Sequence, residues 1–172
     1  ELVHFSTIFQ GYSYQGIPDV RVIVYKGFPI MSMMRLSTAA SGGRANLHQG
    51  AVGVGLDIQT GKAVNAVMYN LPIWHHPDTD VDLLGLKIPL WREHLEIAAK
   101  AYEMTSLGYL GADIVLDEER GPMMLELNAR PGLAIQIANR CGLADRIREV
   151  DFSYPTGLTP AERVEFVLNR HK

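Results

Sequence analysis

One cysteine, Cys141, is all the thiol chemistry in this 172-residue chain, which excludes an intrachain disulfide and any CxxC metal site. Long apolar runs are missing too. Nothing approaches the roughly 18 residues of a membrane-spanning helix, and no opening segment reads as a signal peptide, so the cytoplasm is the expected compartment and no membrane partner is expected. Charge of one sign is scarce as well. The chain has 16 basic and 19 acidic residues, a net charge of −3, and no basic arm, which disfavours nucleic acid as a partner. The composition that remains, 47% apolar and 20% charged, is that of a globular domain and not of a disordered tail. Such a length buries roughly two-thirds of the unfolded surface without staples.

The first residues, Glu1-Leu2-Val3-His4, carry no initiator Met and read as the middle of something. The expectation is the C-terminal part of a longer protein, with part of its site elsewhere. Residues 1–18 read as a lead-in loop. Arg21 to Tyr25 and Ile30 to Leu36 are apolar runs around the turn Lys26 to Pro29 and predict a hairpin. Ser37 to Gly50 is small, polar and glycine-rich, and predicts a mobile loop. A second hairpin follows, Ala51 to Ile58 and Ala63 to Tyr69, before an irregular stretch from Pro72 to Pro89. From Leu90 the period becomes helical, with Trp91, Leu95, Ala98 and Tyr102 on one face and Gly108 as the expected stop. Two strands, Tyr109 to Asp117 and Pro122 to Asn128, then a helix from Ala134 to Arg140, a linker, and a last helix begun by Thr159-Pro160 complete the chain. Hairpins followed by a helix and another hairpin argue an α+β fold with an antiparallel sheet. The segments divide as a lead-in over 1–18, a catalytic domain over 19–143, and a C-terminal linker and helix over 144–172.

The last hairpin carries the sharpest chemical signal. If Glu118 to Gly121 is its turn, Asp117 pairs with Pro122 and Asp113 faces Glu126. Side chains facing each other across such a pair lie about 5 Å apart, where like charges repel. Asn128 projects on the same side, and Ile114, Leu116, Met123, Leu125 and Leu127 form an apolar opposite side. Two carboxylates and an amide oxygen are a hard ligand set that suits Mg²⁺ or Mn²⁺, with phosphate or water completing the shell. A solvated hairpin face with a slipped register remains the alternative. Arg21, Arg35, Arg44 and Arg130 are basic groups an anionic substrate could use, and Arg44 shares its glycine-rich loop with Asn46 and His48. The Lys26 to Pro29 turn puts Arg21 and Arg35 on opposite faces.

Other patterns fail on inspection. Gly55 to Gly61-Lys62 has five residues between its glycines and Ala63 where a phosphate loop needs Ser or Thr. His75-His76 with Asp78, Asp80 and Asp82 lacks the glycine and glutamate of a calcium loop and reads as surface. Ser32, Ser37 and Cys141 sit in no nucleophile spacing.

Four stretches together carry a family likeness: Pro18-Asp19-Val20-Arg21-Val22, Arg44-Ala45-Asn46-Leu47-His48-Gln49-Gly50, Gly111-Ala112-Asp113-Ile114-Val115, and Leu125-Glu126-Leu127-Asn128-Ala129-Arg130-Pro131-Gly132-Leu133. On them the chain resembles the C-terminal part of an ATP-grasp ligase, closest to the RimK-type α-L-glutamate ligases. The resemblance implies an ATP-grasp fold and joining of a carboxylate to an amine through an acylphosphate. It implies that Asp113, Glu126 and Asn128 hold the Mg²⁺ ions bridging the ATP phosphates. Arg21, Arg44 and Asn46 would line the phosphate and catalytic side, with Leu125 against the nucleotide and Arg130 and His48 toward an amino-acid or peptide carboxylate. The lysine and adenine-gripping segment of such ligases lie N-terminal to the matched region, so a missing N-terminal lobe of the same protein is an expected partner. Two other readings are a non-catalytic nucleotide- or metal-binding module and a metal-dependent phosphohydrolase.

Overall fold

The computed structural model describes residues 4–170. Seven antiparallel strands form one sheet: β1 (Asp19–Tyr25), β2 (Phe28–Leu36), β3 (Val52–Leu56), β4 (Ala63–Met68), β5 (Leu71–Pro72), β6 (Tyr109–Asp117) and β7 (Gly121–Asn128). Their spatial order is β5-β4-β3-β2-β1-β6-β7. The helices are α1 (Trp91–Thr105), α2 (Ala134–Asn139), α3 (Leu143–Ser153) and α4 (Pro160–Asn169). This is the expected α+β architecture. Val20, Val22, Val24, Met34, Leu36, Val54, Leu110 and Ile114 are buried on the strands, and α1 covers β1, β2, β6 and β7 with Trp91, Leu95 and Ala98 inward. Burial of each large aliphatic side chain contributes about 1.5–3 kcal/mol, so this apolar layer fixes the strands that carry the site.

The first hairpin departs from its expected register, and the departure matters. Its turn is two residues long, Lys26 at φ 48° and Gly27 at φ 81°, with Tyr25 opposite Phe28. That geometry follows the twist of the strands, and glycine supplies the second positive φ without strain. An extra residue then enters β2: Val24 pairs with Pro29, but Ile23 pairs with Met31, so Ile30 is a bulge. A one-residue shift moves every later side chain to the other face. Arg21 therefore faces Met33, Arg35 faces Asp19, and both arginines share one side of the sheet. The expectation of opposite faces is overturned by this bulge.

The last hairpin reaches its expected pairing by two compensating differences. Its turn is three residues, with Asp117 opposite Gly121, but Leu125 is an extra residue between Met124 and Glu126, which restores Asp113 opposite Glu126. Leu125 is consequently 54% exposed and not part of an apolar face.

Three smaller corrections follow. Ser106, at φ 56°, takes the left-handed cap of α1 in place of Gly108. The Ser37 to Gly50 loop is stitched to its surroundings: the Thr38 hydroxyl donates to Gly50 O, the Ser41 hydroxyl to Thr38 O, the Ser37 hydroxyl to Tyr14 O, and Ala39 N to Asp78. Finally, α3 occupies residues expected as linker. It packs on β2, while α4, held by a Thr159/Glu162 capping box, packs on α1 and β2. His76 is buried and bonded to Ser37 O, and among the described residues no three His, Cys, Asp or Glu side chains form a group that could hold a metal ion.

Candidate functional site

The sheet face opposite α1 is polar near its centre. Cross-strand pairing lines up Arg35, Asp19, Arg21, Asp113 and Glu126 over β2, β1, β6 and β7. Asp113 is 2% exposed and sits between two guanidinium groups. Arg21 Nε donates to its Oδ1 at 2.7 Å and Arg21 Nη2 to its Oδ2 at 2.6 Å. Arg35 Nη2 reaches the same Oδ2 at 2.8 Å, and Asn128 Nδ2 does so at 3.2 Å. Arg35 is itself held by a two-point bond to Asp19, at 2.6 and 2.5 Å. Paired forks of this kind are the strongest and most directional of the ionic hydrogen bonds.

Burial and pairing act against each other here. Burial pushes the Asp19 carboxyl above its ordinary range, against the lowering pull of Arg35. Burial also pulls down on Arg35, but the Asp19 and Asp113 carboxylates outweigh it and hold the guanidinium above its usual value. Arg35 thus stays charged.

Beside this network is a cavity of about 270 Å³ whose walls include Arg21 and Arg35 from the sheet, Asn46 and His48 from the glycine-rich loop, and Gly132 and Ala134 at the start of α2. The lip is set by α2, which lies close on β3. A Cβ on Gly55 would stand 2.3 Å from Ala138 O, so the absence of a side chain there lets the helix approach. Asn65 Nδ2 and Asn139 Nδ2 pin the same helix through Ala138 O and Ser32 O. Asn46 fixes its own loop by accepting from His48 N.

The structure therefore brings together Arg21, Asn46 and His48 around one cavity, and Asp113, Glu126 and Asn128 beside it. Arg44, Arg130 and Leu125 are exposed and line no part of that cavity. Sequence spacing does not bring out two residues of the site: it sets Arg35 on the face away from Arg21, and Asp19 stands out only as part of a motif. The two-residue turn at Lys26-Gly27 keeps the parity of the expected four-residue turn, so the change of face comes wholly from the bulge at Ile30, which leaves no mark in sequence spacing.

Whether the acidic hairpin suits a divalent ion turns on free acceptor capacity. Glu126 is exposed and has no hydrogen-bond or ion-pair partner among the described residues. Asn128 uses its amide N–H, leaving its oxygen. Asp113 Oδ2 already accepts three bonds, whereas Oδ1 accepts one. Each carboxylate oxygen carries about two lone-pair positions, so Oδ1, with one bond, retains one. Three hard oxygens on neighbouring positions fit a Mg²⁺ or Mn²⁺ ion that takes its remaining ligands from phosphate or water.

Comparison with known families agrees with this fold: the sugar-transfer associated ATP-grasp family matches residues 1–152. The chain belongs to that family. Comparison with curated proteins finds no match. ATP-grasp membership points to an ATP-dependent enzyme, and enzymes of this kind generally use ATP and Mg²⁺. The seven-stranded antiparallel sheet with its flanking helices is consistent with an ATP-grasp domain. No helix among the described residues is long and apolar enough to cross a membrane.

Proposed function

We propose that the ATP-grasp chain carries the phosphoryl-transfer half of a carboxylate–amine ligase, which activates a carboxylate as an acylphosphate and forms an amide. The convergence of Arg21 and Arg35 on one cavity, directly beside the Asp113–Glu126 pair, carries this reading. Transfer of a phosphoryl group needs charge stabilisation and alignment more than a covalent nucleophile, and this face offers two guanidiniums. Glu126 and Asn128, with Asp113 Oδ1, would hold Mg²⁺, which would supply positive charge to offset that of the phosphate. Arg35, fixed by Asp19, faces the anion in the cavity and balances negative charge there. Asn46 and His48 close the cavity from the loop side and orient the carboxylate, while Gly132 and Ala134 limit its depth.

The RimK likeness favours an amino-acid or peptide carboxylate acting in the cytoplasm. The family's association with sugar transfer favours a sugar-linked acceptor over glutamate itself. A lobe upstream in the same protein is the proposed second wall of the nucleotide site. The test is release of ADP from Mg²⁺-ATP with a panel of carboxylates and hydroxylamine as the amine, using this chain and a longer one carrying the upstream sequence. Carboxylate-dependent ADP with a hydroxamate product, lost in Glu126→Gln, is expected. Nucleotide binding with no ADP for any carboxylate would favour the non-catalytic module instead.

A further inference from the structure

The two arginines that grip Asp113 are not equivalent. Arg35 makes three bonds, two of them to Asp19, so it stays anchored when Asp113 is withdrawn. Among the described residues both bonds of Arg21 end on Asp113. The carboxylate that Arg21 holds is also a donor in the divalent-ion set, and its more crowded oxygen already accepts three hydrogen bonds. An ion drawing electron density from this carboxylate weakens those bonds, and the side chain with no second anchor leaves first.

We propose that Arg21 is an exchanging guanidinium: it neutralises Asp113 while the site is empty and is released into the adjoining cavity, as a fork for a carboxylate or phosphate, when a divalent ion takes the carboxylate. Asp19 is the positioning residue that keeps Arg35 from moving with it. The inference rests on the divalent-ion reading above. It gives the site a built-in order, in which the anion-binding fork becomes available once the ion is present, and it places a role on Asp19, which touches neither ion nor anion. Buried carboxylates need a counter-charge at all times, and the exchange supplies one in both states.

The side-chain ¹H–¹⁵N spectrum of the arginines reads this directly, with Mg²⁺ alone as the probe and KCl of matched ionic strength as the control for screening. The ¹³C resonance of the Glu126 carboxylate is followed in the same titration. The Arg21 Nε–H signal is expected to shift and saturate with Mg²⁺ and not with KCl, while the Arg35 Nε–H signal stays. Asp113→Asn, which keeps the shape and removes the charge, should place the Arg21 signal near its Mg²⁺-saturated position without any ion. In Asp19→Asn the Arg35 signal should move as well. If the Glu126 signal saturates while Arg21 stays still, the ion site stands and the exchange is overturned. If neither Glu126 nor Arg21 responds, the ion reading fails and takes the exchange with it. Equal movement of both arginines in the unmodified chain would overturn the role given to Asp19.

Discussion

Replacing Arg35 by Met removes a buried counter-charge while leaving most of the side-chain volume. Arg35 and Asp19 are paired at 2.5 Å with side chains 14% and 11% exposed. Taking away one member of such a pair leaves an uncompensated acid, at a cost of about 3–5 kcal/mol. Asp113 keeps Arg21 in this variant, so the lower end, about 3 kcal/mol, is the expected loss. For a chain of this size that corresponds to a fall in Tm of roughly 6–12 °C. Asp19→Leu combined with Arg35→Met removes both charges, and most of the loss should return, because a buried pair exchanged for apolar groups is often neutral. Urea unfolding of both single variants and the double variant closes the cycle. The pH dependence is a second check. Burial already holds the Asp19 carboxyl above its ordinary 3.8, and without Arg35 it protonates more readily. The Arg35→Met deficit should therefore shrink from neutral toward mildly acidic buffer. A single-variant loss under about 1 kcal/mol, or a double variant as unstable as the summed singles, would refute the claim that this pair is a buried, mutually dependent unit.

Three further outcomes are expected. His94 is buried, donates from Nδ1 to Leu90 O, and has no partner at Nε2 among the described residues; burial holds its pKa below the ordinary 6.5, so stability is full above that pH and falls as pH drops through it, and His94→Leu should flatten this slope in urea melts taken between neutral and mildly acidic pH. The Asp117 carboxyl is held well below its ordinary 3.8, first by the Arg120 guanidinium and then by the backbone N–H groups of Arg120, His4 and Glu119; its contribution is present above 3.8 and lost as pH falls further, so Asp117→Asn should remove that acid-limb loss and weaken hydrogen-exchange protection at Ser6 N, which bonds Leu116 O. Gly55→Ala drives a Cβ against Ala138 O, and overpacking of this kind costs about 1–3 kcal/mol; thermal melts should show it together with weaker anion binding in the cavity whose lip α2 sets.

Much of the fold was legible because its signals are local. Alternating apolar runs marked β1, β2, β6 and β7, the Trp91 to Tyr102 period marked α1, and Thr159-Pro160 marked the start of α4. The facing of Asp113 and Glu126 was legible too, although a shorter turn and the bulge at Leu125 had to cancel for the simple count to hold. The pairing of Arg35 with Asp113 was not legible, since one inserted residue in β2 reverses the face of everything after it. Bulges depend on how a strand packs, and residue type alone does not announce them. The α3 helix is a different case. Leu143, Ile147 and Val150 recur at helical spacing with Asp145 in the first turn, a signal hidden by its short length and by Gly142 before it.

On the proposed function, the acidic hairpin, and not the loop or helix ends around it, joins this chain to nucleotide through a divalent ion. Titration calorimetry with Mg²⁺-ATP, and with ATP in the presence of EDTA, tests it on the unmodified chain, on Glu126→Gln, and on the longer chain carrying the upstream sequence. Heat of binding is expected only with the ion present, lost in Glu126→Gln and strengthened in the longer chain. Equal binding with and without the ion, unchanged by Glu126→Gln, would contradict it.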